Sequence, residues 1–192
     1  MGIISHRELP REDSRDRDMR LTANTSLNWD EYFVLIALFT SLRSKDPRSK
    51  VGAVIVDQDQ HIIGTGYNGF VRGADESRFS WDHEGEWLDT KYPYVVHAEQ
   101  NAVLNATTNN LRGCTIYTTL FPCNECARII AQKQIREVIY VFDRLRDPDS
   151  RRAAVTIFEA SGITCRQMDF PPFQNLVDSV IGKLKISAAG AR

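Results

Sequence analysis

The sequence predicts an α/β fold, a three-layer α/β/α sandwich built on a mixed five-stranded sheet. Three observations carry that expectation. A β-branched run from Val51 to Val56 is followed by the polar turn Asp57-Gln58-Asp59-Gln60 and a second apolar run from His61 to Tyr67, the pattern of an antiparallel hairpin. After residue 97, strand-like and helix-like segments alternate, which implies right-handed crossovers and parallel pairing. The length, 192 residues, suits one domain with room for a core.

Residues 1–27 read as a poorly ordered arm. Between His6 and Arg20 five arginines (Arg7, Arg11, Arg15, Arg17, Arg20) are matched by five acidic residues, with almost nothing apolar to bury. A single folded domain is expected over 28–187, with a flexible tail at 188–192. Asn28-x-x-Glu31 has the form of a capping box. The apolar positions 32, 35, 36, 39 and 42 then follow helical spacing, and Asp46-Pro47 is expected to stop that helix.

The hairpin comes next, and then an irregular stretch from Asn68 to Pro93 that contains Gly69, Gly73 and Gly85. Its aromatics Phe79, Trp81 and Trp87 suit packing or a subunit contact better than base stacking. Ala98–Ala106 reads as helix, Cys114–Thr119 as strand, Asn124–Lys133 as helix and Glu137–Phe142 as strand. Ser150–Ser161 reads as helix, with Gly162 placed to cap it, and Ile163–Met168 as a last strand. Cys114 and Cys165 are expected to be buried strand residues. Leu176, Val177, Val180, Ile181 and Leu184 mark a final amphipathic helix.

Composition narrows the function classes. Apolar residues make up 42% and charged residues 26%, ordinary for a globular protein. No apolar run approaches the roughly 18 residues a membrane span needs, and no basic segment with an apolar core marks a secretory leader. A net charge of −1 argues against a nucleic-acid polymer as partner. The four cysteines, Cys114, Cys123, Cys126 and Cys165, point to metal or redox chemistry more than to disulfides. The expected location is cytoplasmic, with nuclear residence left open.

The chemistry sits in His97-Ala98-Glu99 and Pro122-Cys123-Asn124-Glu125-Cys126, with 25 residues between His97 and Cys123. Each half opens a predicted helix. Cys123 and Cys126, three apart, share a helix face and can grip one ion. The partial positive charge of a helix N-terminus eases the cost of two thiolates there. With His97 they make three ligands, which leaves the fourth tetrahedral position of Zn²⁺ open for water, the arrangement of a catalytic site. Zinc lowers the pKa of bound water to about 7, and Glu99, two residues from a ligand, is placed to exchange protons with it.

These residues match the zinc deaminase signature, His-x-Glu followed by Pro-Cys-x-x-Cys. Within that superfamily the chain resembles the deoxycytidylate deaminases. The supporting stretches are Arg43-Ser44-Lys45-Asp46-Pro47, Gly66-Tyr67-Asn68-Gly69, Asp89 to Glu99, and Leu120 to Cys126. The resemblance spans about residues 29–170.

The resemblance implies a cytidine deaminase-like fold, one catalytic zinc per chain, and zinc-dependent hydrolysis of dCMP to dUMP with release of ammonia, with Glu99 moving protons. It implies Asn68 beside the sugar and base and the Ala98 backbone on the pyrimidine edge. It further implies a homo-oligomer, with a hexamer favoured, activated by dCTP and inhibited by dTTP through a site near Gly66, Tyr67, Asn68 and Gly69. Some members hold a second, structural zinc, but no cysteine lies near the first helix or hairpin to build one.

Other readings stand beside these. Arg43 and Lys45, with Arg48 and Lys50, are candidates to hold a 5′-phosphate, although cations at a helix C-terminus are favoured by its dipole in any case. Tyr67-Asn68-Gly69 is also ordinary turn chemistry. A closed structural zinc completed by Cys114 or Cys165 would leave Glu99 without a task. The competing functions are a deaminase acting on cytidine, deoxycytidine or another deoxycytidine nucleotide, and a catalytically inactive regulatory subunit.

Overall fold

A computed structural model describes residues 27–144 and 147–168. The expected arm, tail and final helix at 176–184 lie outside the described residues.

The element order is α1 (Trp29–Ser41), β1 (Gly52–Val56), β2 (Ile62–Tyr67), β3 (Gly69–Phe70), β4 (Val95–Val96), α2 (Ala98–Leu104), β5 (Thr115–Leu120), α3 (Asn124–Gln132), β6 (Glu137–Phe142), α4 (Pro148–Ala160) and β7 (Thr164–Gln167). The main sheet runs β2-β1-β5-β6-β7. β1 is antiparallel to both β2 and β5, whereas β5, β6 and β7 are parallel. The expected mixed five-stranded sheet is therefore present. Alternation divides its side chains between two faces. Ala53, Ile55, Ile116, Val138 and Tyr140 pack with Ala98, Ala102, Ile130 and Phe158 of α2, α3 and α4. Val54, Val56, Tyr117, Ile139 and Val141 pack with Phe33, Val34, Ala37 and Leu38 of α1.

Helix α1 starts as expected. Asn28 Oδ1 accepts from the Glu31 N–H, and the Glu31 carboxylate accepts from the Asn28 N–H, both at 2.9 Å. Its buried residues, however, are 33, 34, 35, 37, 38 and 41; of the predicted stripe at 32, 35, 36, 39 and 42, Leu35 is buried and Ile36 packs partly on the core, whereas Phe39 is 52% exposed. The helix is apolar nearly all round, so periodicity could not choose a face. The small residues chose it, because the backbone beside Ala37 and Ser41 lies against Gly52 of β1. The helix also ends at Ser41, before Asp46-Pro47. Its last N–H groups, on Leu42, Arg43 and Ser44, tighten to bonds three residues back.

Two further departures lie in the middle and at the end of the chain. The stretch 68–93 is not wholly irregular, because its base is tied by β3 and β4 pairing as a second small sheet. Phe79 and Trp81 pack on Phe70 there, with ring centroids 5.1 and 4.1 Å away, while Trp87 is exposed. Cys165 is exposed because β7 is an edge strand whose residues all reach the surface; Cys114 is buried as expected. Gly162 has φ +66° and follows α4 as predicted.

Helix α2 rides on the outer strand β2. A Cβ on Gly66 would meet the Ala102 nitrogen and the Ala98 oxygen at 2.2 Å each, so only glycine lets helix and strand come this close. Asn101 and Asn105 then donate side-chain N–H bonds to the carbonyls of Tyr67 (2.8 Å) and Thr65 (3.0 Å), and the Thr107 N–H donates to Ile63 (2.8 Å).

Candidate active site

The cavity opens where β5 and β6 deliver their carboxyl ends, the usual place for a ligand in an open α/β sheet. Its volume is about 570 Å³. His97, Ala98 and Glu99 enter from the start of α2, and Cys123 enters from the start of α3. Both helices begin there because β4 and β5 end in extended residues that cap them: His97 and Cys123 are the N-caps, with ψ of 159° and 172°. Pro122 precedes the second cap, and the Gln100 side chain accepts from the His97 N–H at 3.0 Å.

His97 Nδ1 lies 3.3 Å from both Cys123 Sγ and Cys126 Sγ. The three ligand atoms are all within 4.8 Å of one another, close enough to share one ion. One imidazole nitrogen and two thiolates are a donor set suited to zinc. Hydrogen bonding with Cys123 is the main force pushing His97 up to about 9, against its burial. The Cys123 thiol is drawn down to about 4, first by the hydrogen bond from Cys126 and then, against burial, by His97. Cys126 is pushed up because it keeps its proton toward Cys123. A divalent cation displaces such a proton, since coordinated thiols are deprotonated.

Glu99 is 5% exposed, and its Oε2 lies 3.5 Å from Cys126 Sγ. Burial pushes its carboxyl above the ordinary range, which makes it a group able to take and return a proton. Asp57, Asp59 and His61 form the other metal-like cluster among the described residues. There Asp57 accepts from the Asp59 and His61 N–H groups, so this cluster is the hairpin turn.

The rest of the wall mixes apolar and charged residues. Val51, Tyr92, Val95, Leu120 and Phe121 can flank a flat ring; Arg48, Lys91 and Arg144 supply cations, with Asp46, Asp147 and His83 among them. Sequence reasoning missed Lys91 and Arg144. Arg43 and Lys45, expected to hold phosphate, do not line the cavity: Lys45 instead bonds Glu76 at 2.7 Å on the surface. Lys50 donates to the Ser44 carbonyl.

Asn68 lines the cavity, but its side chain is committed to the protein. Its Oδ1 accepts from the Val51 N–H (2.8 Å), and its Nδ2 donates to the Ser49 carbonyl (2.9 Å) and toward Asp46 (3.4 Å). Gly66, Tyr67 and Gly69, the other members of the expected effector segment, do not line it. Gly66 is explained by helix packing, and the Tyr67 carbonyl by Asn101.

A three-layer fold of the cytidine deaminase type with a His-Cys-Cys cluster beside a buried glutamate defines a class, the zinc-binding deaminases. Residues 27–142 match the family described as the cytidine and deoxycytidylate deaminase zinc-binding region. The chain belongs to that family. It is 46% identical to human deoxycytidylate deaminase over 142 residues, which covers 73% of this chain and 80% of the human one. It is 44% identical to the mouse deoxycytidylate deaminase over 152 residues, covering 79% and 85%. Its fold is similar to the crystal structure of the dCMP deaminase of cyanophage S-TIM5 in complex with dCMP and dUMP. That likeness has a TM-score of 0.59 and 27% identity, and it covers 76% of this chain and 100% of the phage chain. Among the described residues no helix is long and apolar enough to cross a membrane.

Proposed function

We propose that this protein is a hydrolase that converts dCMP to dUMP and ammonia. The observation that carries the reading is the buried Glu99 carboxyl facing the His97–Cys123–Cys126 cluster at one end of a cavity large enough for a nucleotide. The deoxycytidylate deaminases at 44–46% identity supply the substrate class.

His97, Cys123 and Cys126 would hold the zinc. When bound, zinc supplies a nucleophile from water at neutral pH. Every other task falls to the chain. The apolar wall formed by Val51, Val95, Leu120 and Phe121 receives the pyrimidine ring and excludes bulk water, and the Ala98 backbone meets its edge. Glu99 accepts a proton from the attacking water and passes it to N3 of the ring, then accepts the second proton from the new C4 hydroxyl and passes it to the departing amine. Water adds at C4, the C4–N bond breaks, and ammonia leaves. The phosphate falls to Arg48 and Arg144, which line the cavity, and not to Arg43 and Lys45. Asn68 shapes the sugar end through the backbone it holds. An intact Glu99 speaks against an inactive regulatory subunit.

Homo-oligomerisation, as a hexamer, and control by dCTP and dTTP belong to the same proposal. The exposed apolar residues Trp29, Tyr32 and Phe39 of α1, with Leu42 just after it, favour burial against another copy. The segment Gly66–Gly69 joins the hairpin directly to the long loop, so an effector there would reach the cavity through Asn68.

Steady-state rates on deoxycytidine and its mono-, di- and triphosphate test the substrate. The monophosphate should give the highest kcat/KM. A preference for the unphosphorylated nucleoside would overturn the assignment. Velocity against dCMP should be sigmoidal, hyperbolic with dCTP and depressed by dTTP. Hyperbolic kinetics indifferent to both would remove the regulatory part alone.

A further inference from the structure

Asp46 and Lys91 form a buried ion pair at the cavity wall, 45 positions apart in sequence. Asp46 is 1% exposed and Lys91 9%. Asp46 does more than meet the ammonium. Its Oδ1 accepts from the N–H groups of Arg48 (2.9 Å) and Ser49 (3.0 Å), and Asn68 Nδ2 approaches its Oδ2. Lys91 is anchored on its own side, its N–H donating to the Asp82 carbonyl at 2.9 Å. The Lys91 carbonyl accepts from the N–H groups of Tyr94 and Val95, both at 3.1 Å. Val95 and Val96 then pair with Phe70 and Gly69, next to Asn68. The residue after Val96 is His97.

Three segments distant in sequence (44–51, 68–70 and 91–97) thus meet at one charged pair, and the last of them runs without a break into the zinc-ligand candidate and Glu99. We infer that the Asp46–Lys91 pair is a positioning element, setting the segment that ends in His97 and Glu99, so that turnover depends on it beyond its share in folding. The inference rests on the deaminase reading of the site.

Two physical points favour this role over plain stabilisation. Buried ion pairs are poor stabilisers, because desolvation offsets their attraction and an apolar pair of similar size commonly does as well. A charged pair does fix geometry, and displacement of a reacting group by about 1 Å can cost on the order of 100-fold in rate. In Asp46 burial raises the carboxyl, but the Lys91 bond and the two backbone N–H groups outweigh it and hold the group below its ordinary range. The Asp46 carboxyl therefore stays ionised across the neutral range.

The experiment compares wild type, Lys91→Met and the neutral double variant Asp46→Asn/Lys91→Met. It reads the thermal midpoint, and kcat and KM for dCMP at saturating zinc. The single variant strands a buried carboxylate and should lose both stability and turnover. The double variant should recover the midpoint while kcat stays about 10-fold or more below wild type, with KM changed less, the signature of misplaced reacting groups. A folded double variant with wild-type kcat overturns the inference, and so does a double variant that does not fold. Failure of the underlying deaminase reading is distinct: wild type itself would then turn over no cytosine nucleotide.

Discussion

Glu99 and Cys123 reach the cavity from the first turns of α2 and α3, whereas Arg48 and Arg144 reach it from irregular segments outside β1 and β6. At the first end each functional group is fixed by the helix it begins. Cap, spacing and burial are local, and the two motifs need only one sheet to bring them together. At the second end no short motif exists. Arg48 is placed by the Asp46 turn, Lys91 by its pairing with Asp46, and Arg144 by the end of β6. The difference teaches that reacting groups can be written as local patterns, while the groups proposed to choose the substrate are written across the whole fold.

The sharpest test of the first end is removal of a ligand. Cys123→Ala should abolish zinc binding and turnover together, as read by elemental analysis and a deamination assay. A zinc-loaded, active variant would dissolve the cluster as the site. Next in size, Glu99→Gln should keep fold and zinc but lose about 10²–10⁴ in kcat, the contribution of a general acid–base group. Near-normal turnover would move the proton transfers elsewhere.

At the second end effects should be smaller and selective. Arg144→Ala should lower kcat/KM for dCMP by one to two decades, since a hydrogen bond to a charged group contributes about 1.5–3 kcal/mol. Activity on deoxycytidine should hardly change, and equal losses on both would make Arg144 structural. The smallest effect belongs to Lys45→Ala. Its bond to Glu76 is exposed, and such pairs contribute about 0–1 kcal/mol. Both kcat/KM and the thermal midpoint should therefore stay close to wild type, and a selective loss on dCMP would return Lys45 to the phosphate.

This contrast also explains what could be read beforehand. The hairpin, the parallel crossovers, the Asn28–Glu31 capping box and the Gly162 cap are period or short-range signals, and the structure contains them. His97, Glu99, Cys123 and Cys126 were legible because a metal site needs particular atoms at fixed spacing on helix starts. The buried face of α1 was legible only at Leu35 and Ile36, because the choice between two apolar faces was made by Gly52, which is remote in sequence from Ala37. Lys91 and Arg144 carried no local mark, since one cation in a charged stretch looks like another until Asp46 or a strand end defines its surroundings. Asn68 is placed beside the sugar and base by the resemblance alone; it lines the cavity, and what no local pattern foretold is that its side chain also holds Val51, Ser49 and Asp46.

The carbonyls of Ile63, Thr65 and Tyr67 have a consequence for assembly. A strand at the rim of a sheet ordinarily offers alternate backbone groups to any passing strand, and so invites stacking into fibres. In β2 every second carbonyl is already taken, by Thr107, Asn105 and Asn101. The carbonyls of this rim are taken by two amide side chains and one backbone N–H in place of a covering strand. A second copy that approached this rim would therefore meet side-chain surfaces rather than extend the sheet through β2. Asn101→Ala/Asn105→Ala would unblock a template that the wild-type fold keeps sealed.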